Sequence, residues 1–295
     1  QPAGRIRAGA RSEPARAAPG IALVKHGHAK KRYGQHFLHD PGTIDRIVRA
    51  IDPRPGDRLV EVGPGRGAIT APVLALAGRL DVVEIDRDVV PQLERRCAGR
   101  GELHVHLADA LEFDFRALRG DGPPLRLVGN LPYNVSTPLL FHFLGQLDAF
   151  ADMHFMLQKE VVVRMAAAPG SGDYGRLTVM LAPHVKVERL FDIGAGAFKP
   201  PPQVTSTFFA LTPHATPPFE IADPSAFAAL VAAAFSKRRK TLRNALMGLL
   251  DVEGIVAAGV DPGARAETLA PARFAALASQ WIARRGDSPG VIPAE

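Results

Sequence analysis

The first two thirds of the chain alternate between short apolar runs and segments in which apolar residues recur at helical spacing. Runs such as RLVEVG (58–63) and LRLVGN (125–130) are short and end at glycine or a polar residue, which is typical of buried strands. The predicted strands are 58–63, 80–86, 103–109, 125–130 and 152–158, and the predicted helices are 40–51, 68–78, 91–98 and 137–147. Strands that alternate with helices predict an α/β fold with a parallel, doubly wound, Rossmann-like sheet.

The pattern changes after residue 184. Two strand-like runs, VKVERLF (185–191) and TSTFFAL (205–211), lie too close together for a helical crossover, so we expect an antiparallel strand pair at the end of the sheet. A linker rich in proline and threonine follows at 212–224, and the rest of the chain is rich in alanine, leucine and arginine. The predicted helices there are 225–235, 240–250, 253–258 and 271–284. The expected organisation is an arm over 1–28, an α/β domain over 29–212 and a small all-α domain over 213–295.

Charge is concentrated at the start of the chain. Residues 1–32 carry eight basic residues and one acidic residue, whereas the whole chain has a net charge of +6, so the remainder is nearly neutral. A basic arm predicts contact with a polyanion, most often a nucleic acid. The same composition is typical of a tail that is disordered when free, and an arginine-rich, acid-poor start also fits an organelle transit peptide. The sequence leaves these alternatives open.

Several classes of protein are disfavoured by composition. The chain has one cysteine, Cys97, so it has no disulfide framework, and we expect a reducing compartment such as the cytoplasm. No apolar run is long enough to span a membrane, so we expect no membrane partner. The ten histidines are scattered along the chain, and we expect no metal site.

A glycine-rich loop, VEVGPGRG (60–67), follows the first predicted strand. Gly63, Gly65 and Gly67 allow a sharp turn and a close approach of the backbone to a ligand. The next strand ends near Glu84, where a carboxylate can accept hydrogen bonds from both hydroxyls of a ribose, and the third strand ends at Asp109, which could bind the amine of an adenine. The loop also resembles that of a dehydrogenase, but the spacing favours S-adenosylmethionine over a dinucleotide.

The motif NLPY (130–133) follows the fourth predicted strand, where open α/β sheets bind ligands. The Asn130 side-chain oxygen and a backbone carbonyl around Leu131 and Pro132 could accept the two hydrogens of an aromatic amine. Proline restrains the direction of that carbonyl, and the ring of Tyr133 offers a face on which a base can stack. Phe198, on the stiff stretch FKPPP, could close the other face of the base, although core packing is the alternative.

A second basic cluster lies in the C-terminal third. The stretch SKRRKTLR (236–243) places five cations at the expected start of a helix, and RNA phosphates are their natural partner. The predicted RNA contacts are Lys30, Lys31 and Arg32 near the arm, and Lys237, Arg238, Arg239, Lys240 and Arg243 in this cluster.

Eight stretches, in order from about residue 29 to the end of the chain, resemble the small-subunit ribosomal RNA adenine dimethyltransferase family. They are YGQHFLHD (33–40), VEVGPGRG (60–67), VVEID (82–86), NLPY (130–133), FMLQKEV (155–161), YGRLTVM (174–180), FKPPPQVTS (198–206) and SKRRKTLRNAL (236–246). The resemblance implies a class I methyltransferase sheet. It also implies an enzyme that uses S-adenosylmethionine to dimethylate N6 of two adjacent adenines in the 3′-terminal hairpin loop of small-subunit rRNA. Its implied partner is the immature small (30S) ribosomal subunit, and we expect a monomer.

The resemblance also assigns roles to individual positions. The donor-binding residues of the family fall on His36, Leu38, Gly63, Glu84, Asp109 and Asn130, and its base-binding residues fall on Asn130, Leu131, Pro132, Tyr133 and Phe198. Many members have asparagine where this chain has His36. Both side chains donate and accept hydrogen bonds, so we expect the change to be tolerated.

Two other functions remain open. One is the related large-subunit rRNA adenine methyltransferase of the antibiotic-resistance type, although the triple proline at 200–202 and the basic stretch favour the small-subunit type. The other is a non-catalytic ribosome-assembly factor that binds RNA, which the intact Glu84, Asp109 and NLPY motif disfavour. A dehydrogenase would have no use for NLPY.

Overall fold

The computed structural model describes residues 36–237 and 239–286. The strands in this part of the chain are β1 Phe37–Leu38, β2 Leu59–Val62, β3 Arg79–Glu84, β4 Glu102–Leu107, β5 Leu125–Asn130, β6 Phe150–Gln158, β7 Val185–Ile193, β8 Phe198–Lys199 and β9 Ser206–Pro213. The helices are α1 Pro41–Ile51, α2 Thr70–Ala77, α3 Val90–Cys97, α4 Phe115–Arg119, α5 Ser136–Leu144, α6 Lys159–Met165, α7 Arg176–Leu181, α8 Pro224–Phe235, α9 Leu242–Ala245, α10 Val252–Ala257 and α11 Pro271–Gly286. The predicted arm and Lys30, Lys31, Arg32 and Arg238 lie outside the described residues.

A seven-stranded sheet has the order β4-β3-β2-β5-β6-β9-β7. Strands β2 to β6 are parallel, whereas β9 runs antiparallel between β6 and β7. The predicted α/β fold and the antiparallel pair are therefore confirmed. The order reverses between β2 and β5, and the carboxyl ends of parallel strands on either side of such a reversal form a ligand crevice.

The two faces of the sheet carry separate apolar cores. Side chains alternate between faces along a strand, so Val60 and Val62 of β2 pack with α5, while Leu59 packs with α1, α2 and α3. Phe143 of α5 is fully buried in the first core, and burial of a side chain of this size stabilises the fold by about 1.5–3 kcal/mol. Helices on both faces keep the strands in place and leave only the strand ends free to form a site.

Helix α1 begins as the sequence predicts. The Asp40 carboxylate accepts a hydrogen bond from the Thr43 N–H at 2.7 Å, and Pro41 occupies the first turn, where no N–H donor is needed. Ile47 and Ile51 are buried against the sheet. The cap and the buried stripe together fix the start and the orientation of the helix that follows β1.

The C-terminal helices surround a third apolar core, which also includes Tyr174 and Val179 from the segment before the predicted linker. The Tyr174 hydroxyl donates to the Leu269 carbonyl at 2.7 Å. Contacts of this kind make all described residues part of one compact unit. The domain boundary at residue 213 stays a prediction.

The expected helix over 240–250 is wrong in its extent, because α9 comprises only Leu242–Ala245. The chain is extended at Thr241, which pairs with Arg265, and Gly248 has a φ of 89°, which a continuing helix cannot accommodate. Lys237, Arg239 and Lys240 therefore lie in the connection between α8 and α9, and Arg243 alone among the described cations of the cluster is helical.

Candidate active site

The glycine-rich loop turns sharply at the carboxyl end of β2. Gly65 has a φ of 51°, and its N–H donates to the Glu84 carboxylate at 3.1 Å. Gly67 has a φ of 76°, and a β-carbon there would come within 2.8 Å of the Leu93 side chain on α3. Glycine is therefore required both by the backbone conformation and by the close packing of the loop on the following helix.

Glu84, the last residue of β3, is almost completely buried. One carboxylate oxygen accepts from Gly65 N–H and the other accepts from Asp86 N–H at 2.9 Å. Burial raises the pKa of Glu84, while these backbone hydrogen bonds lower it. An ionised carboxylate has about four acceptor sites, so the two bonds fix its orientation and still leave capacity for two ribose hydroxyls.

Asp109 follows the end of β4 and is half-buried. One of its carboxylate oxygens accepts from the Leu111 N–H at 2.9 Å, which orients the side chain. Strand β4 neighbours β3 in the sheet, so Asp109 and Glu84 end adjacent strands. The second oxygen of Asp109 is suited to accept a hydrogen bond from an adenine amine.

Asn130 ends β5, on the other side of β2. Its side-chain nitrogen donates to the His36 backbone carbonyl at 3.2 Å. A carbonyl can only accept, so the amide nitrogen faces β1 and the Asn130 Oδ1 faces away from it. This orientation leaves Oδ1 free to accept a hydrogen bond from a ligand.

The backbone of NLPY narrows the choice of a second acceptor. The Pro132 carbonyl accepts from the Val135 N–H at 3.2 Å within the turn. Leu131 precedes proline, which restricts its backbone to extended conformations, and its side chain is buried. The Pro132 carbonyl is thus already engaged within the turn, which favours the Leu131 carbonyl as the second acceptor.

Tyr133 is half-buried, and two contacts hold its ring. Its hydroxyl lies 2.7 Å from the Ser206 hydroxyl of β9, and its ring centroid lies 6.0 Å from that of His36. Phe198, by contrast, is only 2% exposed and belongs to the core on the α1 face of the sheet. The Phe198 ring is thus packed in the core, and its contact with a base stays a prediction.

A two-stranded ribbon of β1 and β8 closes one side of this crevice. Leu38 pairs with Phe198, and the His36 ring nitrogen Nδ1 lies 2.8 Å from the Pro200 carbonyl. Arg66 of the glycine-rich loop lies over the Phe37 ring at 4.2 Å. The ribbon thus joins the glycine-rich loop, NLPY and FKPPP. Two-residue strands have no periodicity, so only the resemblance at 33–40 and 198–206 points to it.

Glu61 is a second acidic side chain near the loop, and it lies on the α1 face of β2. It is 2% exposed, and its Oε2 has no hydrogen-bond partner among the described residues. Burial raises the pKa of Glu61 to about 7. The sequence marks this position only as an acid two residues before Gly63, and gives no sign that it is buried.

The basic cluster is exposed. Lys237, Arg239, Lys240 and Arg243 are all accessible to solvent, and none forms an ion pair with an acidic residue within 36–237 or 239–286. Residues of this part of the chain also include no group of three or more side chains that could hold a metal ion. None of its helices is both long and apolar enough to cross a membrane.

The sheet order, the glycine turn after β2 and the acidic residue that ends β3 are those of a class I methyltransferase. The chain belongs to the ribosomal RNA adenine dimethylase family, whose profile matches residues 27–283.

Relatives and solved structures agree with this assignment. The chain is 54% identical over 258 residues to the ribosomal RNA small subunit methyltransferase A of Pseudomonas aeruginosa, covering 88% of this chain and 96% of the relative. It is 51% identical to the protein of the same name from Nitrosococcus oceani, and the match covers 87% of this chain and 97% of that protein. The 23S rRNA methyltransferase ErmE, known from a crystal structure, is 26% identical in sequence and has a TM-score of 0.65. The match covers 83% of this chain and 99% of that chain. A dimethyladenosine transferase from Plasmodium falciparum shares the fold, with a TM-score of 0.72 and 24% sequence identity. The match covers 85% of this chain and 98% of that chain.

Proposed function

We infer that the chain is an S-adenosylmethionine-dependent rRNA methyltransferase that dimethylates N6 of two adjacent adenines in the 3′-terminal hairpin loop of small-subunit rRNA. The observation that carries this inference is the orientation of Asn130, whose Oδ1 faces away from β1 at the end of β5. Identity of 51–54% to proteins named for the small subunit supports that substrate over the large-subunit alternative.

The donor fits the glycine-rich side of the crevice. A β-carbon at Gly63 would meet nothing within 4 Å, so open space lies beside the loop, and the Glu84 carboxylate is bonded to the same loop at Gly65. Glu84 would hold the ribose, Asp109 the adenine amine, and His36 and Leu38 would close the site from β1. S-adenosylmethionine supplies a methyl group bound to a positively charged sulfur.

Asn130 and Leu131 would prepare the target amine. The lone pair of an adenine amine is delocalised into the ring, which makes the amine a poor nucleophile. The Asn130 Oδ1 and the Leu131 carbonyl can each accept a hydrogen bond from one hydrogen of the amine. These two bonds orient the lone pair of the amine nitrogen toward the donor. Tyr133 would stack on the base, an interaction worth roughly 1–3 kcal/mol.

Two methylations fit the same pair of acceptors. The methylated amine releases a proton to water, so no side chain has to act as a strong base. One N–H remains after the first transfer, and one acceptor then suffices to align the amine again. The expected product is N6,N6-dimethyladenosine.

The RNA itself would bind through the exposed cations. Lys237, Arg239, Lys240 and Arg243 have no acidic partner among the described residues, so they are free to neutralise phosphates. Arg238 and Lys30, Lys31 and Arg32 are proposed to extend this surface on the basis of sequence alone.

We propose that the protein acts as a monomer on the immature small ribosomal subunit in the cytoplasm. Its proposed parts are an α/β methyltransferase domain over 29–212 and a helical RNA-binding domain over 213–295.

Methyl transfer from labelled S-adenosylmethionine tests the function directly. Unmethylated small ribosomal subunits and free large-subunit rRNA are offered in parallel, and the modified nucleosides are identified by mass spectrometry. Dimethyladenosine in the small subunit is expected. Label in the large-subunit RNA alone would support the antibiotic-resistance type, and binding without transfer to either would support a non-catalytic assembly factor.

A further inference from the structure

Ser206 is the first residue of β9, and no part of its surface is exposed. Its hydroxyl oxygen lies 2.7 Å from the phenolic oxygen of Tyr133, although 73 positions separate the two residues in the chain. A buried hydroxyl needs a hydrogen-bond partner, and the Tyr133 hydroxyl is the partner that Ser206 has among the described residues. The Tyr133 ring is thus tied at its tip to a residue of the central sheet.

The two ends of this hydrogen bond differ in rigidity. Ser206 is paired with Gln158 of β6 on one side and with Ile193 of β7 on the other, so its backbone is fixed within three strands. Tyr133 lies in the turn between β5 and α5. A tyrosine side chain can rotate about two bonds, and a hydrogen bond at the hydroxyl restrains the rotation about Cα–Cβ, which sets where the ring lies. The phenolic oxygen lies on the axis of the second rotation, so the plane of the ring is restrained by its neighbours, including the His36 ring at 6.0 Å.

We propose that Ser206 is a positioning residue, which holds the Tyr133 ring at the orientation in which a stacked adenine directs its amine toward Asn130. This proposal rests on the proposed function. Burial raises the pKa of Tyr133 above its ordinary value of 10.0. The phenol therefore keeps its proton at neutral pH, and its hydrogen bond with Ser206 does not depend on pH in that region. Ser206 itself does not touch the base.

The neighbouring residue offers a matched control. Thr207 also lies in β9 and is also completely buried, but its hydroxyl donates to the Asp192 carboxylate at 2.6 Å. The other Asp192 oxygen lies 2.6 Å from the Lys159 ammonium. Thr207→Val removes a buried hydroxyl of β9 but leaves the hydrogen bond between Tyr133 and Ser206 in place, so we expect it to preserve the transfer rate.

A double-mutant cycle separates positioning from simple structural support. Tyr133→Phe leaves the buried Ser206 hydroxyl without a partner, and Ser206→Ala removes the hydrogen-bond partner of the half-buried Tyr133. Both should lower the thermal midpoint, whereas the double variant removes both hydroxyls and should recover stability. The rate should behave differently. We expect about a three- to tenfold loss of kcat in all three variants, with the donor KM unchanged.

A second measurement reports the ring directly. An RNA hairpin with 2-aminopurine at the target position loses fluorescence when that base stacks on an aromatic ring. We expect strong quenching with the wild type and with Thr207→Val, and weaker quenching with Ser206→Ala and with Tyr133→Phe at saturating protein. Tyr133→Phe breaks the same hydrogen bond from the other end, so the test holds even where Ser206→Ala folds poorly.

The proposal is overturned if the double variant recovers its rate together with its stability, or if Ser206→Ala quenches as the wild type does. A wild-type protein that binds the hairpin but transfers no methyl group would contradict the proposed function instead. The fluorescence comparison would then still decide whether Ser206 orients the ring.

Discussion

The two sides of the candidate active site are built in different ways. The donor side, which comprises Gly63–Gly67, Glu84 and Asp109, is held by backbone hydrogen bonds between residues 2 to 19 positions apart. The base side, which comprises Asn130, Tyr133 and Ser206, is held by contacts between residues 73 to 94 positions apart. The donor side therefore forms from residues at the ends of adjacent strands, whereas the base side forms only when segments far apart in the chain come into contact.

This difference predicts which property each side controls. Closing a contact over a long stretch of chain costs more entropy than closing a short one, and each long-range contact of the base side rests on a single side-chain hydrogen bond. Changes on the base side should thus disturb the alignment of the amine while the donor still binds. Changes on the donor side should weaken binding of the donor itself.

The largest effect is expected for Asn130→Ala. It removes the aligned acceptor, and loss of one preorganised partner in an active site lowers kcat by about 100-fold or more. Donor affinity should fall much less, because the proposed role of Asn130 is to align the amine rather than to hold the nucleoside alone. Single-turnover transfer and calorimetry with S-adenosylmethionine measure the two quantities.

Asn134→Ala is the control for that variant, since Asn134 is an exposed amide in the same turn. It should keep near-normal activity. Near-normal dimethylation by Asn130→Ala, or a donor affinity that falls as far as its rate, would contradict the contrast between the two sides.

Glu84→Gln should reduce donor affinity by about 10- to 100-fold, the range for loss of a charge-assisted hydrogen bond. Glutamine keeps one carbonyl oxygen for the ribose, but its amide group cannot accept both backbone N–H donors of Gly65 and Asp86. Calorimetry measures the change, with Glu94→Gln on the exposed face of α3 as the control. An unchanged affinity would remove Glu84 from the donor site.

Glu61 should make stability depend on pH. Its pKa is about 7 when folded against an ordinary value of 4.5, so the folded protein holds a proton that the unfolded chain has released. Protonated Glu61 makes its full contribution to the stability of the folded protein below pH 4.5, and this contribution is lost as the pH rises through 7. Between pH 5 and 7 the free energy of unfolding should fall by about 2 kcal/mol.

Denaturant unfolding of the wild type and of Glu61→Gln across this pH range tests the prediction. The neutral amide cannot titrate, so the variant should lack this component of the pH dependence. Parallel curves for the two proteins would show that Glu61 is already ionised at pH 5.

The smallest effect is expected for the basic cluster. Changing Lys237, Arg239 and Lys240 to glutamine should weaken RNA binding by less than about tenfold near physiological salt, and should reduce the slope of log affinity against log salt by about 1–2. Donor binding should not change. A salt slope equal to that of the wild type would place the phosphate contacts elsewhere in the chain.

Most of the sheet could be predicted from the sequence. Strands β2 to β6 are short apolar runs, and helices α1, α2, α3 and α5 show helical spacing or a terminal cap, as with Asp40. Helices α4, α6 and α7 were not predicted, because each has at most seven residues and such a segment is too short to show a clear period. Helix α10 is equally short, but it lies in the region rich in alanine and leucine where helices were expected. The overlong prediction for α9 has a different cause, because tertiary pairing at Thr241 overrides a local preference for helix.

The sequence by itself determined that Gly63, Glu84 and Asp109 follow or end three strands, and the carboxyl ends of neighbouring parallel strands lie together at one edge of a sheet. Their role in holding the donor stays a prediction. The sequence also marked Asn130 and Tyr133 as unusual residues for a plain turn. Only the tertiary structure decided which way the Asn130 amide faces, that Tyr133 is tied to Ser206, and that Phe198 is buried. These features depend on contacts between distant segments, and no local pattern of residues encodes the direction of a side chain across such a distance.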